Sequence, residues 1–357
     1  MKEKIILILS LMVLSIGEIS AQNPTPTKTP TTKTDKIIVI TKDNIELPKP
    51  QNTLPQPSPS LVLLDLPTIL EKANEQTGNY REEFKNLLGD ETKTFETFDK
   101  NGKSKKQSTV ESNFVVYQSA KNENLATEYR NVVKVDGKTV GGSEKRATDL
   151  FTQLSKSASA QQELEGIQKE SSRYDKNLDI SGLTLLQAPI LAEHIRPFFD
   201  FQLLGRETLD GREMFSVSYQ QTKVSPYILF NTAEGRQEKL SLNFEEDLPN
   251  SIQEPNARVR GKMWIDAQTF QIRREERELT IQPTGLQSPL VIQKTEFEYQ
   301  PSDLGILVPK RITLSGFTVK SKDKGTNISA FLDTKATFQY NKFTKSDVEV
   351  KSGEVKN

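Results

Sequence analysis

Side chains that could act as nucleophiles, general bases or metal ligands are scarce in this sequence of 357 residues. It contains no Cys, which excludes disulfides, thiolate nucleophiles, Cys-type zinc sites and iron–sulfur clusters. It also excludes the acylated cysteine of a bacterial lipoprotein. The single His, His194, excludes a His-rich metal site. We therefore expect no metal, no cofactor and no enzymatic activity.

His194 is the main candidate for a general base, and it lies in the segment Glu193–Pro197. A hydrolase would also need a nucleophile and an orienting acid, and the sequence contains no GxSxG motif. A His near the C-terminus of a helix interacts favourably with the last carbonyl groups and the helix dipole. We interpret His194 as such a structural residue and keep a hydrolase as the least favoured alternative.

Trp264 is the only Trp, and strand alternation points it away from Met263 and Ile265. Its own face carries Arg258, Arg260 and Lys262. One interpretation makes Trp264 an aromatic platform in a ligand cleft, beside cations suited to an anionic head group. The other places Trp264 on the far side of the sheet, packed under basic side chains. The sequence leaves both open.

Charge is balanced in this chain, with 48 basic and 48 acidic residues. A neutral molecule has no overall field to attract nucleic acid, so we expect no nucleic-acid partner. The mixed run from Arg273 to Glu278 predicts a solvated strand face with cross-strand pairs.

Residues 1–21 have the pattern of a secretory signal peptide. Lys2 and Lys4 precede an apolar run from Ile5 to Ile16, and Ala21 is a plausible last residue before cleavage. The run is shorter than the roughly 20 residues that span a bilayer. We expect a secreted protein, periplasmic if the source is Gram-negative, with no transmembrane segment after signal removal.

Residues 22–60 contain eight Pro and eight Thr, a composition typical of a disordered linker. One apolar interruption, Lys36–Ile40 (KIIVI), could form a short strand or dock as an added strand. Residues 346–357 are predicted to be a disordered tail.

Residues 61–195 form a region of helices and β-hairpins. Apolar residues at steps of three and four predict a helix from about Pro67 to Leu88, ended by Gly89. Two hairpins follow, then helices at about 144–156 with Ser143 as N-cap, at about 159–174 and at about 183–193.

Residues 196–345 are almost purely strands with short turns, such as Asp210–Gly211. In the hairpin around Asp266–Thr269, the simplest register pairs Ile265 with Phe270, Met263 with Ile272 and Arg260 with Glu275, unless a bulge shifts it. The sequence predicts an α+β fold with one large curved antiparallel sheet.

The segment Gly261–Ile272 (GKMWIDAQTFQI) resembles a hairpin of the periplasmic outer-membrane lipoprotein carrier and sorting proteins. Leu307–Ile312 (LVPKRI) and a long final strand are similar to the strands that follow in that group. The resemblance covers residues 198–343, while Ser112–Tyr117 and Val133–Lys138 resemble secreted bacterial proteins that share this C-terminal half. The resemblance implies that the sheet is an open, barrel-like one, with helices packed on its concave side and a cavity that binds acyl chains. This chain is longer and adds the region 66–195 and the linker, so a lipoprotein shuttle is not a necessary consequence.

From this resemblance and the apolar strand positions we expect a non-enzymatic binder of a lipid or other amphipathic ligand, with a lipoprotein acyl chain or an envelope protein as partner. The alternative is a structural or interaction module of the cell envelope with a filled core. The candidate cleft lining consists of Phe201, Phe215, Val217, Trp264, Phe297, Tyr299, Ile312, Leu314, Phe338 and Tyr340.

Overall fold

The structure, a computed structural model, describes residues 64–84, 87–119, 121–122, 126–175, 183–185, 187–226, 228–230, 244–246, 257–283, 286–321 and 328–345. The predicted signal peptide, linker and tail lie outside these ranges. The segment Lys36–Ile40, which could form a short strand or dock as an added strand, therefore also lies outside the described residues.

Eleven strands form one antiparallel sheet in the order β4-β3-β2-β1-β13-β12-β11-β10-β9-β6-β5. Within the described ranges, β4 and β5 are edge strands that do not pair with each other, so the sheet is open. A separate parallel pair joins β7 to β8. The strands are β1 (Leu87–Phe98), β2 (Ser104–Gln118), β3 (Ala126–Val135), β4 (Lys138–Thr139), β5 (Phe199–Leu209), β6 (Arg212–Gln221), β7 (Ile228–Phe230), β8 (Phe244–Glu246), β9 (Ala257–Asp266), β10 (Ile272–Ile281), β11 (Leu290–Pro301), β12 (Leu307–Ser321) and β13 (Ile328–Lys345).

Both predicted regions contribute to this sheet, because β1 pairs with the last strand, β13. The pairing sets Phe95 beside Ala336 and Glu91 beside Tyr340. Residues separated by some 240 positions therefore lie side by side in one core, and the chain is built as an α+β fold around one large open antiparallel sheet, as the sequence predicted.

In the part of the chain that the structure describes, three α-helices accompany the sheet: α1 (Leu66–Phe84), α2 (Ser143–Leu154) and α3 (Ala160–Ser171). Asp65 caps α1, since its Oδ1 accepts a hydrogen bond of 3.0 Å from the Thr68 amide. The helix ends at Phe84, before β1 begins at Leu87, so Gly89 lies in a strand and does not end the helix. Gly142, with φ of 70°, precedes α2, which makes Ser143 the first helical residue rather than the N-cap. No described helix is long and apolar enough to cross a membrane.

Helix α1 defines the inner face of the sheet, and α2 and α3 pack on the opposite, outer face. Phe84 of α1 lies 6.0 Å from the ring of Phe114 in β2. The next residue in β2, Val115, packs with the cluster that includes Leu154 of α2 and Ile167 of α3. Because successive strand residues point to opposite faces, the two sets of helices sandwich the β2–β3 end of the sheet. Only α1 and short turns cover the inner face among the described residues.

The predicted helix at 183–193 is absent, and two short 3-10 helices, Pro189–Leu191 and Arg196–Phe198, lie in this part of the chain instead. Pro189 begins the first of them, and Ala188 before it has a positive φ of 38°. His194 lies in the exposed turn between the two. The interpretation of His194 as a residue at the end of an α-helix was therefore wrong.

The β9–β10 hairpin forms as predicted, but its register differs. Ile265 pairs with Ile272, and a bulge between Ile272 and Arg274 then shifts the register so that Met263 pairs with Glu275. Arg260 consequently pairs with Glu278, at 2.8 Å between Nε and Oε2, and not with Glu275. The predicted pairs Ile265–Phe270, Met263–Ile272 and Arg260–Glu275 were wrong for two reasons. The loop between the paired residues Ile265 and Ile272 has six residues rather than four, and the bulge then shifts the register by one more position.

Asp266 holds the turn of this hairpin and should make stability depend on acid. Its Oδ1 accepts hydrogen bonds from the Gln268 and Thr269 amides at 3.0 Å, and its Oδ2 accepts one from Arg212 at 2.6 Å. Burial disfavours the carboxylate, but these bonds outweigh it and lower the pKa of Asp266 from 3.8 to about 2. Because the folded-state pKa is the lower one, the stabilisation is complete above about pH 4 and is lost as the pH falls towards 2.

Asp266→Asn is therefore expected to lower the free energy of unfolding at pH 7 by about 1.5 kcal/mol. Urea unfolding of the variant and the original protein from pH 7 to pH 2 checks this, since the difference should shrink below pH 4. A difference that stays constant with pH would contradict the assignment.

Candidate functional site

The inner face carries two buried apolar clusters, and α1 crosses both of them. The first cluster joins the N-terminal half of α1 (Ile69, Leu70, Ala73) to β6, β9 and β10. The second joins Tyr80 and Phe84 to β1, β2, β11, β12 and β13. A helix of 19 residues is about 28 Å long, close to the roughly 29 Å across the seven strands from β9 to β2. Helix α1 thus runs across the strands.

Ring contacts attach the C-terminal half of α1 to the second cluster. Tyr80 stacks on Phe84 at 5.2 Å between ring centroids and meets Tyr299 of β11 edge-on at 5.6 Å. The Tyr80 hydroxyl also donates a hydrogen bond of 2.8 Å to the Thr184 carbonyl. These contacts place the end of α1 deep against the sheet.

Apolar residues that are only half-buried connect the two clusters. They form an apolar band of Leu314, Phe317 and Val319 on β12 and Leu332 on β13. Leu314 packs against the second cluster and Val319 against the first. A register shift between Gly316 and Phe317 separates Leu314 from Val319 in β12, which explains why residues of opposite parity both pack against the inner clusters. Beyond this shift, Phe317 pairs with Leu332 and has the same strand parity as Val319, so both face the side on which Val319 packs. The apolar band is the part of the inner face that the protein's own side chains cover least.

A group of five buried charged residues, here called the Arg130 group, lies within the second cluster: Glu91, Lys93, Glu128, Arg130 and Asp175, each at most 2% exposed. Arg130 Nε donates to both carboxylate oxygens of Glu91, at 2.8 and 2.9 Å. Arg130 Nη2 lies 2.8 Å from Glu128 Oε2, without the alignment of a hydrogen bond. Burial opposes the charge of Arg130, but Glu91 and Glu128 outweigh it and raise its pKa.

The Arg130 group also ties down the chain that follows α3. Lys93 forms an ion pair with Asp175, and Glu128 Oε1 accepts a hydrogen bond of 2.6 Å from the Thr184 amide. Burial lowers the pKa of Lys93 and raises that of Asp175. No set of three or more acidic or His side chains in the described ranges is arranged to hold a metal ion. The chemistry of this group is therefore ion pairing.

A second polar group, here called the Glu275 group, lies beside the first cluster and consists of Tyr219, Glu275 and Arg277. The Tyr219 hydroxyl donates to Glu275 Oε1 at 2.8 Å, and Arg277 donates to both carboxylate oxygens at 3.1 Å. The Arg277 guanidinium also lies 4.7 Å from the Phe297 ring centroid. The prediction that the run from Arg273 to Glu278 is a solvated face was wrong for Glu275 and Arg277, which are 0% and 7% exposed.

Nine of the ten predicted lining residues lie on the inner face. Phe201 and Leu314 are half-buried there, and the seven others are buried: Phe215, Val217, Phe297, Tyr299, Ile312, Phe338 and Tyr340. The structure brings them together in two clusters rather than one, and strands β11 to β13 supply eight of the 18 buried residues of the second cluster.

Trp264 is the exception, because it lies on the outer face. Its indole Nε1 donates to Glu207 Oε2 at 2.7 Å, and Lys262 and Arg274 lie 4.4 and 4.9 Å from its rings. The Lys262 and Trp264 hydrogen bonds lower the pKa of Glu207 to about 2. The structure supports the interpretation of Trp264 as a residue packed among charged side chains outside the cleft, and its inclusion in the lining was wrong.

A groove with a volume of about 320 Å³ opens at one end of the sheet, between the β1–β2 turn and the first residues of β13. Phe98, Phe331 and Leu332 line it together with Lys100 and Lys105, and with Asp99, Asp333 and Thr318. Its volume is at the lower limit for small-molecule sites. None of the ten predicted residues lines it, although Leu332 also belongs to the apolar band.

The buried charges are the part of the site that the sequence analysis missed. Their signal was present in strand alternation, because Glu275 and Arg277 share the parity of Leu279 and Ile281 in β10. Glu91 and Lys93 likewise share the parity of Leu87 and Phe95 in β1.

Comparison with solved structures finds proteins of similar architecture at very low identity. A DUF1329 family protein from Desulfovibrio piger is 10% identical with a TM-score of 0.30, covering 79% of this chain and 93% of its own. A LolA superfamily protein from Nitrosomonas europaea is 11% identical with a TM-score of 0.31, covering 80% and 95%. The lipoprotein LppX from Mycobacterium tuberculosis is 10% identical with a TM-score of 0.23, covering 80% and 100%. No family model and no curated protein matches this sequence.

Proposed function

We propose that this chain is a secreted, non-enzymatic binder of a lipid or another amphipathic ligand, which it holds against the inner face of its open sheet. The observation that carries the proposal is the apolar band of Leu314, Phe317, Val319 and Leu332, which joins the two buried clusters yet stays half-buried. Large apolar side chains in a continuous row are normally covered, either by the protein or by what it binds.

An acyl chain laid along the apolar band would gain most of its affinity from burial. At about 25 cal/mol per Å², burying roughly 200 Å² of apolar surface contributes about 5 kcal/mol before ordering costs. The groove next to Leu332 supports the orientation of such a ligand, because Lys100 and Lys105 could contact an anionic head group there.

The decisive experiment compares two residues of β13 that face opposite sides. Leu332 faces the apolar band, whereas Thr337 lies between Ala336 and Phe338 of the second cluster and so points to the outer face; both are half-buried, and Thr337 does not line the groove. Leu332→Glu would place an unpaired carboxylate against the acyl chain. We expect it to weaken binding of a phosphatidylglycerol with two 16-carbon chains at least tenfold, whereas Thr337→Glu should retain binding within about twofold.

Binding is measured by native mass spectrometry of the full chain, both as purified from a cell-envelope extract and after incubation with that lipid. Protein that stays bare with lipid in excess, or equal binding by both variants, would contradict the proposal.

A structural or interaction module with a filled core is the second candidate function. It is supported by the seven predicted lining residues that are already buried by α1 and by one another. Under this hypothesis the protein binds no lipid, and a partner protein of the envelope contacts its surface. The same mass spectra decide between the two candidates.

A further inference from the structure

The two edges of the sheet differ in a way that points to a missing strand. The β4 edge is two residues long, Lys138–Thr139, and both side chains are exposed and polar. The β5 edge is eleven residues long and contains no Pro. Among the described residues it pairs only with β6. A long edge strand without Pro offers a row of unpaired backbone groups to any further strand.

Apolar side chains on β5 are exposed where a further strand would cover them. Leu203 and Leu204 are 36% and 51% exposed, and with Val224 they are the exposed large hydrophobic residues of the described chain. Phe201, on the inner face of the same strand, is half-buried and packs against the first cluster. A bulge between Leu203 and Gly205 interrupts the strand, so the regular edge available for pairing is Phe199–Leu203.

The chain before α1 supplies a segment of matching length. Residues 31–47 contain no Pro, although Pro-rich stretches flank them on both sides. Within this window, Ile37–Ile40 (IIVI) is a run of β-branched residues, which favour strands. Pro is poorly tolerated in the middle of a sheet, so this window is the part of residues 22–60 best able to pair.

The point where the described chain begins favours the same edge. Leu64 and Leu66 pack against the first cluster, which also contains Phe199 of β5. The 24 residues from Ile40 to Leu64 can reach at most about 80 Å. The β5 edge, on the half of the sheet where the first cluster lies, is therefore within reach of the segment, at an effective concentration on the order of a millimolar, above that of a second copy in solution.

We propose that Lys36–Ile40 adds to the free edge of β5 beside Phe199–Leu203 as a twelfth strand of the same chain. The added strand would pair the outward backbone groups of β5 and cover Phe201 and Leu203 with aliphatic side chains. The segment then anchors the N-terminal linker to the sheet, independently of any ligand on the inner face.

Paired cysteines test the contact in a chain that has no Cys of its own. In the full chain, Gln202→Cys is combined in turn with Ile37→Cys, Ile38→Cys, Val39→Cys and Ile40→Cys. At least one of these four double variants is expected to form an intrachain disulfide in most molecules under mild oxidation. The same four linker cysteines, each combined with Thr139→Cys on the β4 edge, should form no intrachain disulfide. Failure of all four Gln202→Cys pairs, or disulfides that link two chains, would overturn the proposal.

Hydrogen exchange provides the second measurement without added cysteines. Val39→Pro removes a backbone donor from the proposed strand, and Asn52→Pro makes the same change outside it. We expect the amides of Phe199–Leu203 that point away from β6 to exchange at least tenfold faster in Val39→Pro than in the original chain, and at an unchanged rate in Asn52→Pro. Equal exchange in the two variants would also overturn the proposal.

Discussion

Arg130→Met is expected to lower the free energy of unfolding by about 3–5 kcal/mol, the largest effect of a single substitution considered for this protein. Arg130 is 1% exposed, and its guanidinium contacts the carboxylates of Glu91 and Glu128, which are equally buried. Methionine fills a similar volume but leaves the two buried carboxylates of Glu91 and Glu128 without the guanidinium that balances their charge. Denaturant unfolding at neutral pH measures the loss.

The matched control is Arg260→Met in the pair Arg260–Glu278. Its Nε to carboxylate distance is also 2.8 Å, but Arg260 is 39% exposed. Water solvates the remaining carboxylate there, so the expected loss is at most about 1 kcal/mol. Equal losses for the two variants would contradict the role assigned to burial.

A triple variant separates the net contribution of the ion pairs to the free energy of unfolding from the cost of leaving buried charges unpaired. Glu91→Leu and Glu128→Leu, added to Arg130→Met, remove all three charges together. Buried ion networks replaced by apolar residues often lose no stability, so the triple variant should recover most of the loss. A triple variant as unstable as Arg130→Met would show that the network itself contributes net stability.

Gly261→Ala is the second large expected effect, a loss of about 3 kcal/mol, at the upper end of the range for overpacked interiors. A Cβ at this position would lie 2.1 Å from the Glu276 carbonyl oxygen and 2.4 Å from the Tyr219 hydroxyl. The first contact is with backbone, which cannot rotate away. The second would push Tyr219 from Glu275 and leave that buried carboxylate with fewer donors. Thermal and urea unfolding measure the change.

Gly78→Ala in α1 is the matched control, and its effect should have the opposite sign. A Cβ at Gly78 meets no atom within 4 Å, and the residue lies inside a helix. Alanine there should stabilise the protein by about 0.5–1 kcal/mol, because it reduces the backbone freedom of the unfolded chain. Destabilisation by both substitutions would argue against steric contact as the cause at Gly261.

Strands and tight turns could be predicted from the sequence because their signals are local. Asp136–Gly137 and Asp210–Gly211 were recognised as hairpin turns, and all four residues adopt positive φ, between 50° and 75°. Helix α3 begins at Ala160 after Ser159, close to the predicted start. The end of α1 was not predictable, since β1 begins at Leu87 only because it pairs with the distant strand β13. The two short 3-10 helices in place of the helix predicted at 183–193 were not predictable either.

Most residues of the candidate site could be named from the sequence, but the face on which each lies and its neighbours could not all be predicted. Alternation correctly separated Trp264 from Met263 and Ile265, but the choice of which face binds a ligand depends on α1, whose contacts are not local. The buried position of Arg130 depends on the pairing of β3 with β2 and of β2 with β1, which brings Glu91 within 2.8 Å.

By itself, the sequence determined a large antiparallel sheet of amphipathic strands, because period-two alternation and turn residues act over a few positions. The tertiary structure decided which face α1 covers, where bulges shift the register, and which charges become buried. These outcomes depend on contacts between distant residues, such as β1 with β13, and a local pattern marks two strand faces without specifying what packs on either.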